Sequence, residues 1–165
     1  MAFDAFIKID GVPGESTDDK HKDWIEVLSF HHGISQSASS TRSSAGGASS
    51  GRTDHSDFNI NKLLDKASPI IYQACSSGKH LASVIVEFWR AAGDAKVKFL
   101  EIKMEEVMVS NVAPGGGKES DFPSESVSFN YGTIKWTYTQ QKRKDGSGGG
   151  NVTGGWDLTA NKVNS

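Results

Sequence analysis

Two stretches of this chain alternate apolar and polar residues as β-strands do, yet each changes parity partway along. In "KVKFLEIKMEEVMVSNV", residues 96–112, Val97 and Phe99 share one parity, Leu100, Ile102 and Met104 take the other, and Val107 and Val109 return to the first. In "ESVSFNYGTIKWTYTQQ", residues 125–141, Val127, Phe129 and Tyr131 lie on one face and Ile134, Trp136 and Tyr138 on the next, with Gly132 at the switch. Successive side chains of a strand point to opposite faces, so each parity change turns the inward face over. Bulges or bends are therefore expected near residues 99–100 and 105–106 and at Gly132. Strands bent in this way suit a barrel or a two-sheet sandwich and exclude a flat sheet.

Other segments extend the β reading. Residues 2–12 alternate, with Phe3, Ala5, Ile7 and Ile9 opposite Asp4, Lys8 and Asp10, and "GVPGES" ends the run by turn chemistry. Similar runs span Trp24 to Ser35 and begin again at Asp57 with "DFNINKLL". "ASVIVEFWR" and the turn "AAGDA", around Gly93 and Asp94, form a hairpin with the first of the parity-switching strands. "NVTGGWDLTANK" supplies a last strand. At 165 residues the chain is expected to make one domain over 1–165.

One helix is expected in "DKASPIIYQACSSG". Ser68 is placed as its N-cap, Pro69 at the first helical position and Gly78 at the left-handed C-terminal position. Ala67, Ile70, Ile71, Ala74 and Cys75 then share one stripe facing the core. This bears on the only cysteine, which stands five residues before His80 and invites a nucleophile and base hypothesis. A core-facing cysteine is a small hydrophobe, since burial raises its pKa away from reactivity. No catalytic residue is assigned.

Residues 36–54, "QSASSTRSSAGGASSGRTD", contain no large apolar side chain and cannot bury themselves. Connections of this length are functional or await a partner. Thr41, Arg42, Arg52 and Asp54 are the candidate contact residues, the charged ones being able to make directional bonds to a neighbour.

The remaining motifs reduce to ordinary structure. "APGGGKES" has Val112 and Glu119 where a phosphate-binding loop needs Gly and Ser or Thr, so it reads as a glycine-rich strand connection. His31 and His32 are adjacent on a strand and diverge, which argues against a shared metal ion. Glu105 and Glu106 diverge in the same way and make a poor acid/base pair. "KRK" at Lys142–Lys144 runs into "DGSGGG", a hairpin-tip composition. With 18 Lys and Arg against 20 Asp and Glu there is no broad positive field, so neither nucleic acid nor an anionic membrane is an expected partner. A single cysteine makes no internal disulfide and suits a reducing compartment. Asp4, Lys8 and Asp10 interrupt any apolar signal core at the N-terminus, and no segment is apolar for long enough to cross a bilayer as a helix. No cofactor is expected.

In order and spacing, "FIKIDGVPGES", "HKDWIEVLSFHHGISQ", "DKASPIIYQACSSGKH", "FLEIKMEEVMVSNV", "ESVSFNYGTIKWTY" and "GGWDLTANK" resemble the haemolysin-coregulated protein (Hcp) family, the tube protein of bacterial type VI secretion. The six blocks cover nearly the whole chain. The resemblance implies a compact β-barrel of two curved sheets with one flanking helix, similar to the tail-tube proteins of contractile phages. It implies homohexameric rings stacked into a hollow tube, with a spike protein, a contractile sheath and secreted effectors as partners. It also implies synthesis in the cytoplasm and export through the type VI system without a signal peptide. In the family a long loop after the second strand reaches toward a neighbouring ring, and residues 36–54 occupy that place. "RAAGD", Arg90–Asp94, departs from the two glycines frequent in that turn. The chain ends at Ser165 after the last strand, so a carrier without an enzymatic domain of its own is expected.

Two other classes compete with this reading. A monomeric β-barrel ligand-binding module calls for an apolar pocket with a few convergent polar groups, and a Cys75-dependent hydrolase calls for a reactive thiol. Native mass separates the tube subunit from both, and labelling of Cys75 by a thiol reagent in the native state tests the hydrolase.

Overall fold

The computed structural model describes residues 3–37 and 51–164. The chain opens with β1 (Asp4–Ile9), followed by β2 (Ile25–Val27), β3 (Ser29–His31), β4 (Ile34–Ser35), β5 (Asp54–His55) and β6 (Phe58–Leu63). Helix α1 (Ser68–Ser77) leads into β7 (His80–Ala92), β8 (Ala95–Gly115), β9 (Ser124–Asn130), β10 (Thr133–Gln141), β11 (Gly148–Asp157) and β12 (Lys162–Val163). All described strand contacts are antiparallel.

The 21-residue β8 organises the molecule. It pairs with β7 along most of its length, and on its other side with β10 through Leu100–Glu105 and with β9 through Met108–Gly115. One layer runs β12-β11-β10-β8-β7-β1-β2, while β9, β6 and β3 branch from the far half of β8. β2 and β3 are separated by Leu28 alone, whose N–H donates to the Asn61 carbonyl at 2.8 Å. The chain thereby passes from β1 to β6 at a corner, and the sheet curls over its core without closing into an unbroken barrel.

The bends fall where the parity switches predict. Phe88 pairs with Leu100 and Trp89 with Lys98, which leaves Phe99 as the extra residue of a bulge. Met104 and Val107 are both fully buried, so the inward face turns over between them. The turn is made at Glu106, which takes φ 53°. Opposite it, the Gly132 N–H lies 3.0 Å from the Glu105 carbonyl oxygen and 3.1 Å from that of Glu106. A Cβ on Gly132 would stand 2.6 Å from Glu106 Oε2 and 3.0 Å from Glu106 Cβ, so glycine admits the close approach without displacing the Glu106 side chain. A third irregularity at Ser110, between Val109 and Asn111, completes the curvature of β8.

The core between the layers is contributed by Ile7, Ile25, Phe58, Ile60, Val84, Val86, Phe88, Met104, Val107, Phe129 and Ile134, with Ala67, Ile71 and Ala74 of α1 packed against it.

Three expectations need correction. Ser68 is not the N-cap: Ala67 holds that position without a side-chain cap bond, and the Ser68 hydroxyl turns inward to Glu125 and Lys62. Asp65 serves the helix start instead, its Oδ1 accepting the Ala67 N–H at 3.0 Å. Ile70 is 39% exposed and Cys75 only half-buried, so the apolar stripe is narrower than its spacing suggests. The run Trp24–Ser35 is broken into three short strands by Leu28 and by His32 and Gly33.

Candidate functional site

The polar segment 36–54 is delimited by a ribbon. β4 and β5 pair Ile34 with His55 and Ser35 with Asp54, and β3, β4 and β5 carry the chain out of and back into the shell. The base is tied by Gln36 Nε2 donating to the Gly51 carbonyl at 2.5 Å and by Thr53 Oγ1 donating to the Ser35 carbonyl at 3.3 Å. The Ser56 N–H donates to the Gly33 carbonyl at 2.9 Å, and Ser56 Oγ accepts the Gly33 N–H at 2.8 Å.

Of the candidate residues, Thr41 and Arg42 lie outside the described residues. Arg52 and Asp54 both lie at the base of the ribbon, with different partners. Arg52 is exposed, and its Nη2 donates to the Leu158 carbonyl at 2.9 Å, which fastens the returning chain to the turn between β11 and β12. Asp54 is exposed opposite Ser35. Beneath the ribbon lies a cavity of about 470 Å³ walled by Ile34, Arg52, His55, Trp136 and Trp156.

Behind the ribbon the Tyr131 hydroxyl lies 2.7 Å from His32 Nε2 and 2.7 Å from His55 Nδ1. Tyr131 is 4% exposed at the corner between β9 and β10, and both histidines are half-buried. Burial and the neighbouring His55 and His31 depress the His32 pKa. Burial also depresses that of His55, against the opposing pull of Asp54. Burial and Asp57 hold the Tyr131 hydroxyl protonated. The residue pattern anticipated the divergence of the adjacent histidines: His31 faces solvent and His32 turns inward. It missed their third neighbour, because His55 and Tyr131 are distant in sequence from His32.

Two further polar clusters were also missed. Lys62 and Glu125 are direct cross-strand partners on β6 and β9, and both are essentially unexposed. Lys62 Nζ donates to Glu125 Oε1 at 2.5 Å and to Asp65 Oδ1 at 2.9 Å, and the carboxylate also accepts from Ser68 and Tyr72. Burial raises the Glu125 pKa, but the hydrogen bonds from Lys62, Ser68 and Tyr72 overcome it and hold the group below the usual carboxylate range. Burial and Glu125 push the Tyr72 hydroxyl up to about 12. This cluster pins α1 to the sheet. A signal existed, for Lys62 follows Phe58 and Ile60, and Glu125 precedes Val127 and Phe129, at inward parity.

In the other cluster, His21 is 2% exposed, with Nδ1 2.7 Å from Asp18 and Nε2 2.7 Å from Glu87. Its ring stacks on Phe6 at 4.2 Å between centroids. Nothing in the local sequence around "KHKDW" announces it.

Cys75 sits half-buried on α1, and His80 is exposed at the start of β7. Lys142–Lys144 lie in the turn between β10 and β11, where the Lys142 N–H donates to the Ser147 carbonyl. The segment 116–123 is the connection between β8 and β9. Among the described residues no group of three or more His, Cys, Asp or Glu side chains is placed to hold a metal ion. No described helix is long and apolar enough to cross a membrane.

The fold is thus an open, curled β shell with one packed helix and a projecting ribbon. Residues 6–138 match the family model described as "Type VI secretion system effector, Hcp". The chain is 38% identical over 161 residues to the protein hcp1 of Pseudomonas aeruginosa, covering 98% of each chain. A solved structure described as a type six secretion system protein superimposes with a TM-score of 0.91 at 37% identity, covering 99% of this chain and 100% of the other. The crystal structure of Hcp1 from Salmonella typhimurium gives 0.81 at 33% identity over 99% of both chains. The chain belongs to the Hcp family of type VI secretion proteins.

Proposed function

We propose that this chain is the structural subunit of a type VI inner tube, forming hexameric rings that stack, are expelled by a contractile sheath and carry effectors. The observation that carries the reading is similarity to Hcp proteins over almost the whole of both chains, in sequence and in fold. Physical features agree with it. The main layer ends in the short strands β2 and β12, and Val152 and Val163 are 69% and 68% exposed near one end. Leu28, Leu63 and Phe122 are exposed around the other layer. Open sheet edges and scattered apolar groups of this kind are covered when a head-to-tail contact repeats around a ring. In this reading the chain is not an enzyme. It is made in the cytoplasm and leaves through the type VI system, and Thr41, Arg42, Arg52 and Asp54 serve stacking between rings.

Native mass spectrometry and light scattering test the reading. A ring of six subunits is expected in dilute solution, with stacking weaker than ring closure. A monodisperse monomer at high protein concentration in both low and moderate salt would overturn it in favour of a monomeric ligand-binding module using the cavity beneath the ribbon.

A further inference from the structure

The ribbon is fastened to the shell by an unusual device for a protein surface: one buried hydroxyl shared by two imidazoles. Tyr131 carries a single hydroxyl proton, so with both rings neutral it donates to one ring nitrogen and accepts the N–H of the other. This arrangement satisfies all three groups. It fixes complementary tautomers, one ring presenting a bare nitrogen to Tyr131 and the other an N–H. If both rings are protonated, both can only donate, and the tyrosine proton loses its acceptor inside the protein. The two cationic rings would also stand 6.4 Å apart between centroids.

We propose that His32, Tyr131 and His55 form an acid-released latch that holds the β4–β5 ribbon, and the Arg52 contact at its base, against the corner of the shell.

The geometry brings the three groups together from three separate segments of the chain. His32 lies between β3 and β4, His55 is in β5, and Tyr131 is at the corner between β9 and β10, next to the Gly132 that bonds back to β8. Among the described residues β4 and β5 pair with each other and with no other strand, so their described attachment to the shell rests on few bonds. The aromatic rings of Phe58 and Trp136 flank His32, at 5.5 and 6.4 Å between centroids, and supply no compensating charge.

The charged and titratable neighbours act in different directions. Asp54 on the ribbon favours the His55 cation, while His31 on β3 and His55 itself oppose the His32 cation. Arg52 shares the cavity wall with His55 and adds positive charge there. Asp57, beside β6, acts on Tyr131 and spends its oxygens on Ser110 and Asn130.

The direction of the response follows. Both histidines have folded pKa values below the ordinary one, so the undocked ribbon binds more protons than the docked one. Docking is therefore at full strength above the ordinary histidine pKa of about 6.5 and weakens as pH falls below it. The inference concerns a single chain and does not depend on ring formation.

Hydrogen exchange with mass or NMR detection, corrected for the intrinsic effect of pH, tests the latch. The probes are the amides of Gly33, Gly51 and Ser56, which donate within the ribbon, with Val84 and Met104 in the β7–β8 hairpin as core controls. Between pH 7.5 and 5.0 ribbon protection is expected to fall several-fold, while the core amides stay unchanged. In the double variant His32→Gln/His55→Asn the pH dependence should vanish, whatever its absolute protection. Tyr131→Phe keeps the buried ring and should expose the ribbon amides already at pH 7.5. A wild-type ribbon no more pH-sensitive than the core would overturn the proposal, as would a double variant that keeps the wild-type slope. Native mass recorded at both pH values separates a change of latch from a change of assembly.

Discussion

Lys62 and Glu125 show how costly a single buried charge becomes once its partner is gone. Their pair lies across β6 and β9 with Ser68 and Tyr72 completing the carboxylate's bonds. Removing one member leaves the other unpaired in the interior, so Glu125→Ala is expected to lose about 3–5 kcal/mol in urea unfolding. The double variant Lys62→Met/Glu125→Leu should recover part of that loss, because no charge of the pair is then left alone in the interior, while Ser68 and Tyr72 still lose their acceptor. A double variant as unstable as the single one would show that the pair contributes more than its own cancellation. Cys75 stands at the other extreme: half-buried beside the core, its replacement by Ala should cost no more than about 1 kcal/mol and leave the assembly mass unchanged. Loss of assembly at unchanged thermal stability would give the thiol a role that packing does not.

Among the elements, β8 was the most legible in the sequence. Its alternation is a local property, so the extra residue at Phe99 and the turnover between Met104 and Val107 could be located by counting. The backbone strain at Glu106 could not, since it reflects the approach of Gly132 from β10's side. At φ 53° a β-branched side chain is strongly disfavoured, and Glu106→Val should be less stable than Glu106→Gly by about 1–2 kcal/mol in chemical denaturation. Equal stabilities would mean that the bend relaxes. The β4–β5 ribbon was not separable in the sequence: Ile34 and Ser35 merge with the alternating run from Trp24 and Asp54 closes the polar segment, because two residues per strand carry no periodicity of their own. Of the candidate site, the charged residues at its base were legible from composition, whereas the His32–Tyr131–His55 cluster depends on contacts made only after folding. The turn that buries His21 is also an element with its own pH response. The His21 bond lowers the Asp18 pKa; Glu87 is raised by burial but lowered further by His21, Trp89 and Lys98. Both carboxyls therefore stabilise the fold above the ordinary carboxylate pKa of about 4, and this is lost as pH falls through their lower folded values. The urea midpoint should decline more steeply in that acid range for wild type than for Glu87→Gln; parallel declines would remove His21 and its partners from the acid response.

For the whole molecule, the proposed assembly separates what the core supports from what the projecting segment supports. The described base of the ribbon contributes little to the main core, and loop-length changes carry small entropic costs. Deleting residues 40–49 should leave the melting temperature and ring mass near wild type while shortening the tubes seen by electron microscopy and reducing secretion. Tubes of normal length would remove the stacking role from this segment, and a collapsed melting temperature would make it part of the fold.

The length of β8 also has a kinetic consequence. It joins β7 through a two-residue turn, the shortest route to a long pairing in the chain, whereas β9 and β10 reach it only after larger loops close. Folding should begin at that hairpin, with the two later strands docking on the opposite edge of β8. Conservative truncations in this pairing, such as Val84→Ala and Ile102→Val, should slow refolding, whereas Val127→Ala on β9 should chiefly accelerate unfolding. The strand that bends the sheet would then also set the order in which it is built.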